Sequence, residues 1–175
     1  ATPYNLFHPC APRRAVALNP GARLIAVLRE PVARAYSDYQ QQRRRHREPL
    51  GFEAAVAAEQ SRTSGETERL CRGEIQVSSA HQRYAYLARG RYAEQLDRWM
   101  DLFPRESLLL ITTDELESDP RNVLDRCCEF LGIPILDTVP QHYRKNSAEY
   151  APLDPGVASD LRDRFRIDNL RLLDR

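Results

Sequence analysis

The chain has 175 residues, of which 42% are hydrophobic and 29% charged, and its 26 basic side chains nearly balance its 25 acidic ones. These values are ordinary for a globular protein, and we expect a single domain with a sizeable core over residues 1–175. A formal net charge of +1 gives no reason to expect nucleic-acid binding, and no apolar run reaches the length that a membrane span requires.

The cysteines and histidines, four of each, do not form a recognisable metal-binding pattern. They lack the CxxC and Cys/His spacings that are typical of zinc ligands, and the cysteines form no disulfide framework. We therefore expect free thiols, no bound metal and a cytoplasmic location, because a reducing compartment keeps thiols free.

The first half of the chain predicts one strand, a short N-terminal helix and two further helices. Residues 1–23 are interrupted by prolines and favour a loop with one short helix. The apolar run Leu24–Leu28 predicts a buried strand, and a helix over 31–47 follows, with proline at its first position. A second helix is expected over 52–60. The polar segment 61–79, rich in serine, threonine and glycine, predicts a mobile loop or lid.

The second half predicts one strand and three helices. Large apolar side chains at the helical period predict a helix between Gly90 and Pro104. The continuous apolar run Leu108–Ile111 suits a strand that is buried on both faces. An Asp-Pro start signal and a glycine stop signal bracket a helix over 119–132, and a final helix is expected over 155–173.

Strands that alternate with helices predict an α/β fold class with a parallel sheet covered by helices. Only two strands are evident in the sequence, whereas a complete sheet of this class has more. We therefore expect the fold to be incomplete at its N-terminus, with further strands supplied by sequence before Ala1.

Arg29 and Ser37 are the strongest candidates for a binding site. Arg29 stands at the carboxyl end of the first predicted strand, where open α/β sheets bind ligands, and its planar guanidinium suits an anion. On the following helix, Val32, Tyr36 and Tyr39 form an apolar stripe, and Ser37 lies away from that stripe. The two side chains would then form a minimal phosphate clamp. The alternative is that Arg29 pairs with a nearby carboxylate and Ser37 only caps the helix or faces solvent.

The segment REPVARAYSDY, which contains both residues, resembles the 3′-phosphate-binding segment of sulfotransferases that use 3′-phosphoadenosine 5′-phosphosulfate (PAPS). Three further segments, TPYNLFHP, GRYAEQLDRWMDLFP and RKNSAEYAPLDP, are similar to the bacterial and heparan-sulfate-type branch of that family. The resemblance covers most of the chain. It implies a P-loop-like parallel sheet flanked by helices, and transfer of a sulfuryl group from PAPS to a hydroxyl or amine of a glycan, lipid or small-metabolite acceptor.

The same resemblance implies roles for individual residues. Arg29 and Ser37 would hold the 3′-phosphate of the nucleotide. A basic loop would close over the nucleotide and contact the same phosphate through Arg144, Lys145 and Asn146, because long cationic side chains allow such closure.

Two further features have both a functional and a structural interpretation. Tyr92 lies in the Gly-x-Tyr segment beside the family's active cleft, but its place in an apolar helix stripe favours the core. The arginine-rich run 43–47 could dock an acidic glycan, but basic side chains also suit the solvated C-terminus of a helix, which is the interpretation that we favour.

The sequence assigns no catalytic residue. The family's phosphosulfate-binding loop, its lysine and its general base are expected upstream of Ala1. A GxxxxGKS/T motif is absent, so a phosphoryl-transferring nucleotide kinase has no direct support. The remaining alternative to an enzyme is a non-catalytic nucleotide-binding or interaction domain that lacks the catalytic loop.

Overall fold

A computed structural model of the chain describes residues 2–138 and 150–173. These residues form two β-strands, β1 Leu24–Leu28 and β2 Leu108–Thr112, two short 3-10 turns and eleven α-helices. The helices are α1 Tyr4–Phe7, α2 Ala11–Leu18, α3 Pro31–Arg44, α4 Phe52–Ala57, α5 Glu59–Thr63, α6 Glu66–Cys71, α7 Ser79–Tyr84, α8 Tyr92–Met100, α9 Thr113–Ser118, α10 Pro120–Leu131 and α11 Pro155–Leu173.

The two strands form a parallel sheet, which confirms the predicted α/β class. Leu24 of β1 pairs with Leu108 of β2, and Leu28 pairs with Thr112. Because parallel strands end at the same edge of a sheet, α3 and α9 begin side by side at the carboxyl ends of β1 and β2. This edge is where open α/β folds place their ligands.

The prediction that β1 is a buried strand was wrong for alternate positions of the strand. Leu28 is 6% exposed, whereas Ile25 and Val27 are 40% and 52% exposed. Successive side chains of a strand point to opposite sides, so one side of β1 packs into the protein while the other remains open. The open side contributes to the cavity described below.

The main core joins α3, α4 and α11. Val32, Ala35 and Tyr39 of α3 pack with Leu161 and Phe165 of α11, and all five are at least 93% buried. The start of α3 is fixed by the Glu30 carboxylate, which accepts hydrogen bonds from the backbone N–H groups of the second and third helical residues at 3.2 and 2.6 Å. The helix that follows Arg29 is therefore anchored at its N-terminus and along its buried face.

The polar segment 61–79 is mostly helical, so the prediction of a mobile loop was wrong. It contains the end of α5, all of α6 and the start of α7. Gly65, at a φ of 74°, makes the turn between α5 and α6, and the Ser78 hydroxyl caps α7 by accepting from the His81 N–H at 3.0 Å. Leu70 is 2% exposed. One buried leucine and these local caps stabilise helices that the polar composition does not reveal.

Replacing Gly90 by alanine is expected to destabilise the domain by about 2 kcal/mol through overpacking. A Cβ atom on Gly90 would lie 2.9 Å from two ring atoms of Phe165 and 3.1 Å from the Cβ of Pro31. The Phe165 ring is fixed in the core and has little room to move. Thermal unfolding should show a Tm that is lower by several degrees. Gly21→Ala is the control, since its nearest atom would be Asn19 Oδ1 at 3.7 Å. An unchanged Tm for Gly90→Ala would contradict this packing.

Candidate functional site

A cavity of about 750 Å³ lies beside β1, at the edge of the sheet where α3 begins. Its walls come from the segment 2–7, from β1, from one face of α3 and from α8 with the turn before it. The charged side chains in its described lining are mostly basic. The lining holds the single carboxylate Asp38 and five arginines, Arg23, Arg29, Arg34, Arg44 and Arg89. An excess of guanidinium groups around one cavity favours an anionic ligand.

The structure brings Arg29 and Ser37 into the lining of this one cavity. Neither side chain forms a hydrogen bond or an ion pair with another residue in the described ranges 2–138 and 150–173. Arg29 is exposed, and Ser37 is half-buried. The helix start is capped by Glu30, so Ser37 is not needed as a cap. Both groups thus keep their donors available for a ligand.

Asp38 bridges two of the cavity arginines. One of its oxygens accepts from Arg34 Nη1 at 3.3 Å and from Arg89 Nη1 at 2.9 Å, and the other accepts from Gln42 Nε2 at 3.2 Å. Arg34 also donates to the carbonyl of Tyr86. Burial lowers the pKa of Arg34 and the nearby charge of Arg89 lowers it further, whereas Asp38 raises it. Since one carboxylate faces two guanidinium groups, this wall keeps an excess positive charge beside Ser37.

The wall formed by α1 is held from behind by α8. Trp99 Nε1 donates to the carbonyl of Leu6 at 3.2 Å, and Arg98 Nη2 donates to the carbonyl of Phe7 at 3.2 Å. These bonds satisfy carbonyls at the end of a one-turn helix, which would otherwise fray. The segment 2–7 is therefore fixed where it meets the cavity.

His81 anchors the same wall and serves as a structural residue. Its Nδ1 lies 2.7 Å from the Tyr4 hydroxyl in a hydrogen bond, and its ring stacks on Phe7 with centroids 4.3 Å apart. Burial first, and then the charges of the neighbouring His8 and arginines, lower the pKa of His81 to about 4, so the imidazole is neutral at pH 7. A neutral, stacked imidazole is suited to this structural role.

Comparisons with known proteins identify the family of this fold. Residues 9–150 match the family model described as the sulfotransferase domain. The chain belongs to the sulfotransferase family. The match confirms the resemblance that the motifs around Arg29 and Ser37 indicate.

Three individual sulfotransferases are similar to most of the chain. A sulfotransferase from Alicyclobacillus acidocaldarius, known from its crystal structure, superposes with a TM-score of 0.75 at 33% identity, over 97% of this chain and 60% of that chain. The human bifunctional heparan sulfate N-deacetylase/N-sulfotransferase 3 is 35% identical over 74% of this chain and 14% of its own length. The human heparan sulfate glucosamine 3-O-sulfotransferase 6 is 31% identical over 81% of this chain and 36% of its own length. The chain thus spans only part of each relative.

The remaining predictions concern a basic loop, bound metal, a membrane span and an arginine-rich run. Arg144, Lys145 and Asn146 lie outside the described residues. Within the described ranges, no group of three or more His, Cys, Asp or Glu side chains could hold a metal ion, and no helix has the length and apolar character of a membrane span. The basic run 43–47 begins in the last turn of α3, where Arg44 lines the cavity and Arg43 donates to backbone carbonyls just beyond the helix.

Sequence reasoning missed several cavity residues, although a signal for some of them was present. Ser37, Gln41 and Arg44 are spaced by four and three residues, which places them on one face of α3. A prediction that the whole helix face carrying Ser37 lines the site would have included Gln41 and Arg44. Arg89 carried no such signal, because a tertiary contact to Asp38, 51 residues away, brings it into the wall.

Tyr92→Phe is expected to weaken anion binding by about threefold without unfolding the domain. The Tyr92 hydroxyl donates to the backbone carbonyl of Arg29 at 2.8 Å, so it positions the end of β1 from which that guanidinium projects. Burial raises the pKa of Tyr92 and keeps the hydroxyl a donor. Losing one neutral hydrogen bond costs about 1 kcal/mol.

Titration with 3′-phosphoadenosine 5′-phosphate measures this effect. Tyr39→Phe is the matched control, because it removes a hydroxyl that donates to the carbonyl of Leu50 at 3.0 Å, away from Arg29. We expect the control to lose stability but not affinity. Equal affinities for Tyr92→Phe and the unmodified chain would show that the hydroxyl has no positioning role.

Proposed function

We propose that this domain binds PAPS and transfers its sulfuryl group to a hydroxyl or amine of an acceptor. One observation carries the proposal. Arg29 and Ser37, the residues that match the family's 3′-phosphate-binding segment, line one arginine-rich cavity and have no partner among the described residues. Family membership supports the reaction class.

In this proposal Arg29 and Ser37 hold the 3′-phosphate together. Arg29 reaches it from the end of β1 and donates two charge-assisted hydrogen bonds, while Ser37 donates from the second turn of α3. Arg144, Lys145 and Asn146 supply further contacts, as the resemblance implies. In the transfer itself the acceptor oxygen or nitrogen attacks sulfur, and the bond from sulfur to the bridging phosphate oxygen breaks. The bond's electron pair stays on 3′-phosphoadenosine 5′-phosphate, and a base takes the acceptor proton.

We propose a glycan as the acceptor class. The two human relatives named above carry heparan sulfate in their names. Arg44 and Arg89, which line the same cavity, add positive charge to it and suit a glycan with acidic groups. A cytoplasmic location remains a proposal, and the free thiols of all four cysteines support it.

Calorimetric titration of the chain tests the nucleotide part of the proposal. We expect 3′-phosphoadenosine 5′-phosphate to bind at least about 30-fold more tightly than adenosine 5′-phosphate, because only the former carries the group that Arg29 and Ser37 hold. Equal affinities would contradict the assignment of the site. Binding of neither ligand by a folded chain would contradict nucleotide binding by this domain.

Transfer of labelled sulfate from PAPS, measured with the full-length gene product, tests the acceptor class. We expect incorporation into an unsulfated acidic polysaccharide and none into a neutral polysaccharide of equal length. Nucleotide binding without transfer to any glycan would favour the alternative of a non-catalytic nucleotide-binding domain.

A further inference from the structure

Two thiols that are far apart in the sequence meet on the side of the domain that carries α6. The Sγ of Cys10 donates to the carbonyl oxygen of Leu70 at 3.4 Å, and that carbonyl belongs to the peptide bond that joins Leu70 to Cys71. The Cys10 sulfur therefore lies within one peptide unit of the Cys71 backbone. Both cysteines are free, Cys71 is exposed and Cys10 is half-buried.

The pair lies between two parts of the fold: the α1–α2 corner that follows the cavity wall, and helix α6 in the segment 61–79. Cys10 is the residue before α2, and its backbone N–H donates to His8 Nδ1 at 3.1 Å, which fixes the corner between α1 and α2. Cys71 is the last residue of α6. A bond between the sulfurs would thus fasten α6 to the corner that follows the segment 2–7.

We propose that Cys10 and Cys71 form a reversible disulfide when the protein meets an oxidising thiol–disulfide environment, and that this bond locks α6 onto the α1–α2 corner. The contact between the Cys10 sulfur and the peptide unit before Cys71 is independent of the proposed sulfotransferase reaction.

The chemistry is thiol–disulfide exchange with a small-molecule disulfide such as oxidised glutathione. The exposed Cys71 thiolate attacks one glutathione sulfur, the glutathione disulfide bond breaks, and one glutathione thiolate leaves and takes up a proton. The Cys10 thiolate then attacks the Cys71 sulfur and displaces the second glutathione. The two cysteines lose two electrons and two protons in total, and one oxidised glutathione becomes two reduced ones.

The bond would form slowly at neutral pH and would stabilise the fold. Burial and contact with the Cys10 thiol raise the pKa of Cys71, although the charge of Arg13 opposes them, so little of the reactive thiolate is present at pH 7. A cross-link that closes a loop of this length restricts the unfolded chain, and we expect a Tm higher by about 5 °C.

Incubation of the chain with oxidised glutathione at mildly alkaline pH tests the proposal. Mass spectrometry should find a product lighter by about 2 Da with no glutathione attached, and digestion should yield a peptide that links Cys10 to Cys71. Reduction should reverse both the mass change and the rise in Tm. In Cys71→Ser the linked peptide should be absent. In Cys127→Ser, which removes another partly buried thiol, it should form as in the unmodified chain.

Two results would overturn the proposal. One is a stable glutathione adduct on Cys71 with Cys10 still free at every ratio of oxidised to reduced glutathione. The other is a linked peptide that forms without any rise in Tm, because a bond that distorts the contact would not lock α6 in its place. Neither result depends on nucleotide binding, so the proposed function could fail while this inference holds.

Discussion

An Arg29→Ala variant is expected to bind 3′-phosphoadenosine 5′-phosphate about 30-fold more weakly than the unmodified chain, a loss of about 2 kcal/mol. The guanidinium stands at the end of β1 with no partner among the described residues, so its removal leaves no group of the domain unpaired. The whole effect should therefore fall on ligand affinity, and the Tm should stay the same. Ser37→Ala removes one neutral donor and should weaken binding by about fivefold.

Arg45→Ala is the matched control for the charge. Arg45 caps the C-terminus of α3 and is absent from the lining of the cavity. Its removal changes the net charge by the same amount, and we expect the affinity to change by less than twofold. A similar loss for both variants would mean that general electrostatic attraction, and not a contact from Arg29, holds the anion.

Glu48→Gln is expected to destabilise the domain by about 3 kcal/mol, the largest effect that we expect on stability. The Glu48 side chain is fully buried and accepts from Arg62 Nη1 at 2.6 Å, from the Leu50 N–H at 3.0 Å and from the Tyr86 hydroxyl at 2.9 Å. An amide in its place would direct N–H groups at donors and leave the Arg62 charge without its partner. Chemical denaturation of the variant and the unmodified chain at pH 7 measures the difference.

The same carboxylate predicts how stability depends on pH. Burial alone would raise the pKa of Glu48, but the hydrogen bonds from Arg62, Leu50 and Tyr86 outweigh it and lower the pKa below the ordinary value of 4.5. The stabilisation by Glu48 is thus complete above pH 4.5 and is lost as the pH falls through the folded-state pKa. The difference in the free energy of unfolding between Glu48→Gln and the unmodified chain should therefore become smaller at acidic pH.

Glu74→Gln is the control for both measurements. Glu74 pairs with Arg72 at 3.3 Å, but the two side chains are 47% and 69% exposed. Exposed pairs contribute little, so we expect a loss below about 0.5 kcal/mol. If Glu48→Gln cost no more than this control, the buried cluster would not stabilise the fold.

The sequence was sufficient to predict the parts of the site that depend on local rules. An apolar run followed by proline defines the end of β1 and the start of α3, and it places Arg29 at the carboxyl edge of the sheet. The helical period then separates Ser37 from the buried stripe of Val32 and Tyr39. These inferences need only strand and helix geometry.

The features that were missed depend on tertiary packing. Arg89 enters the cavity wall through its contact with Asp38, and neither residue lies near the other in the sequence. The segment 61–79 folds as helices because Leu70 is buried and Ser78 caps α7, although its composition favours a loop. Burial of single residues and contacts between distant elements are not visible in local composition.

The most direct test of the account is a thermodynamic cycle between Arg29 and the 3′-phosphate of the ligand. The unmodified chain and Arg29→Ala are each titrated with 3′-phosphoadenosine 5′-phosphate and with adenosine 5′-phosphate. We expect Arg29→Ala to weaken the first ligand about 30-fold and the second less than twofold, which gives a coupling close to 2 kcal/mol. An equal loss for both ligands would contradict the account, because Arg29 would then act on the site as a whole and would not hold the 3′-phosphate.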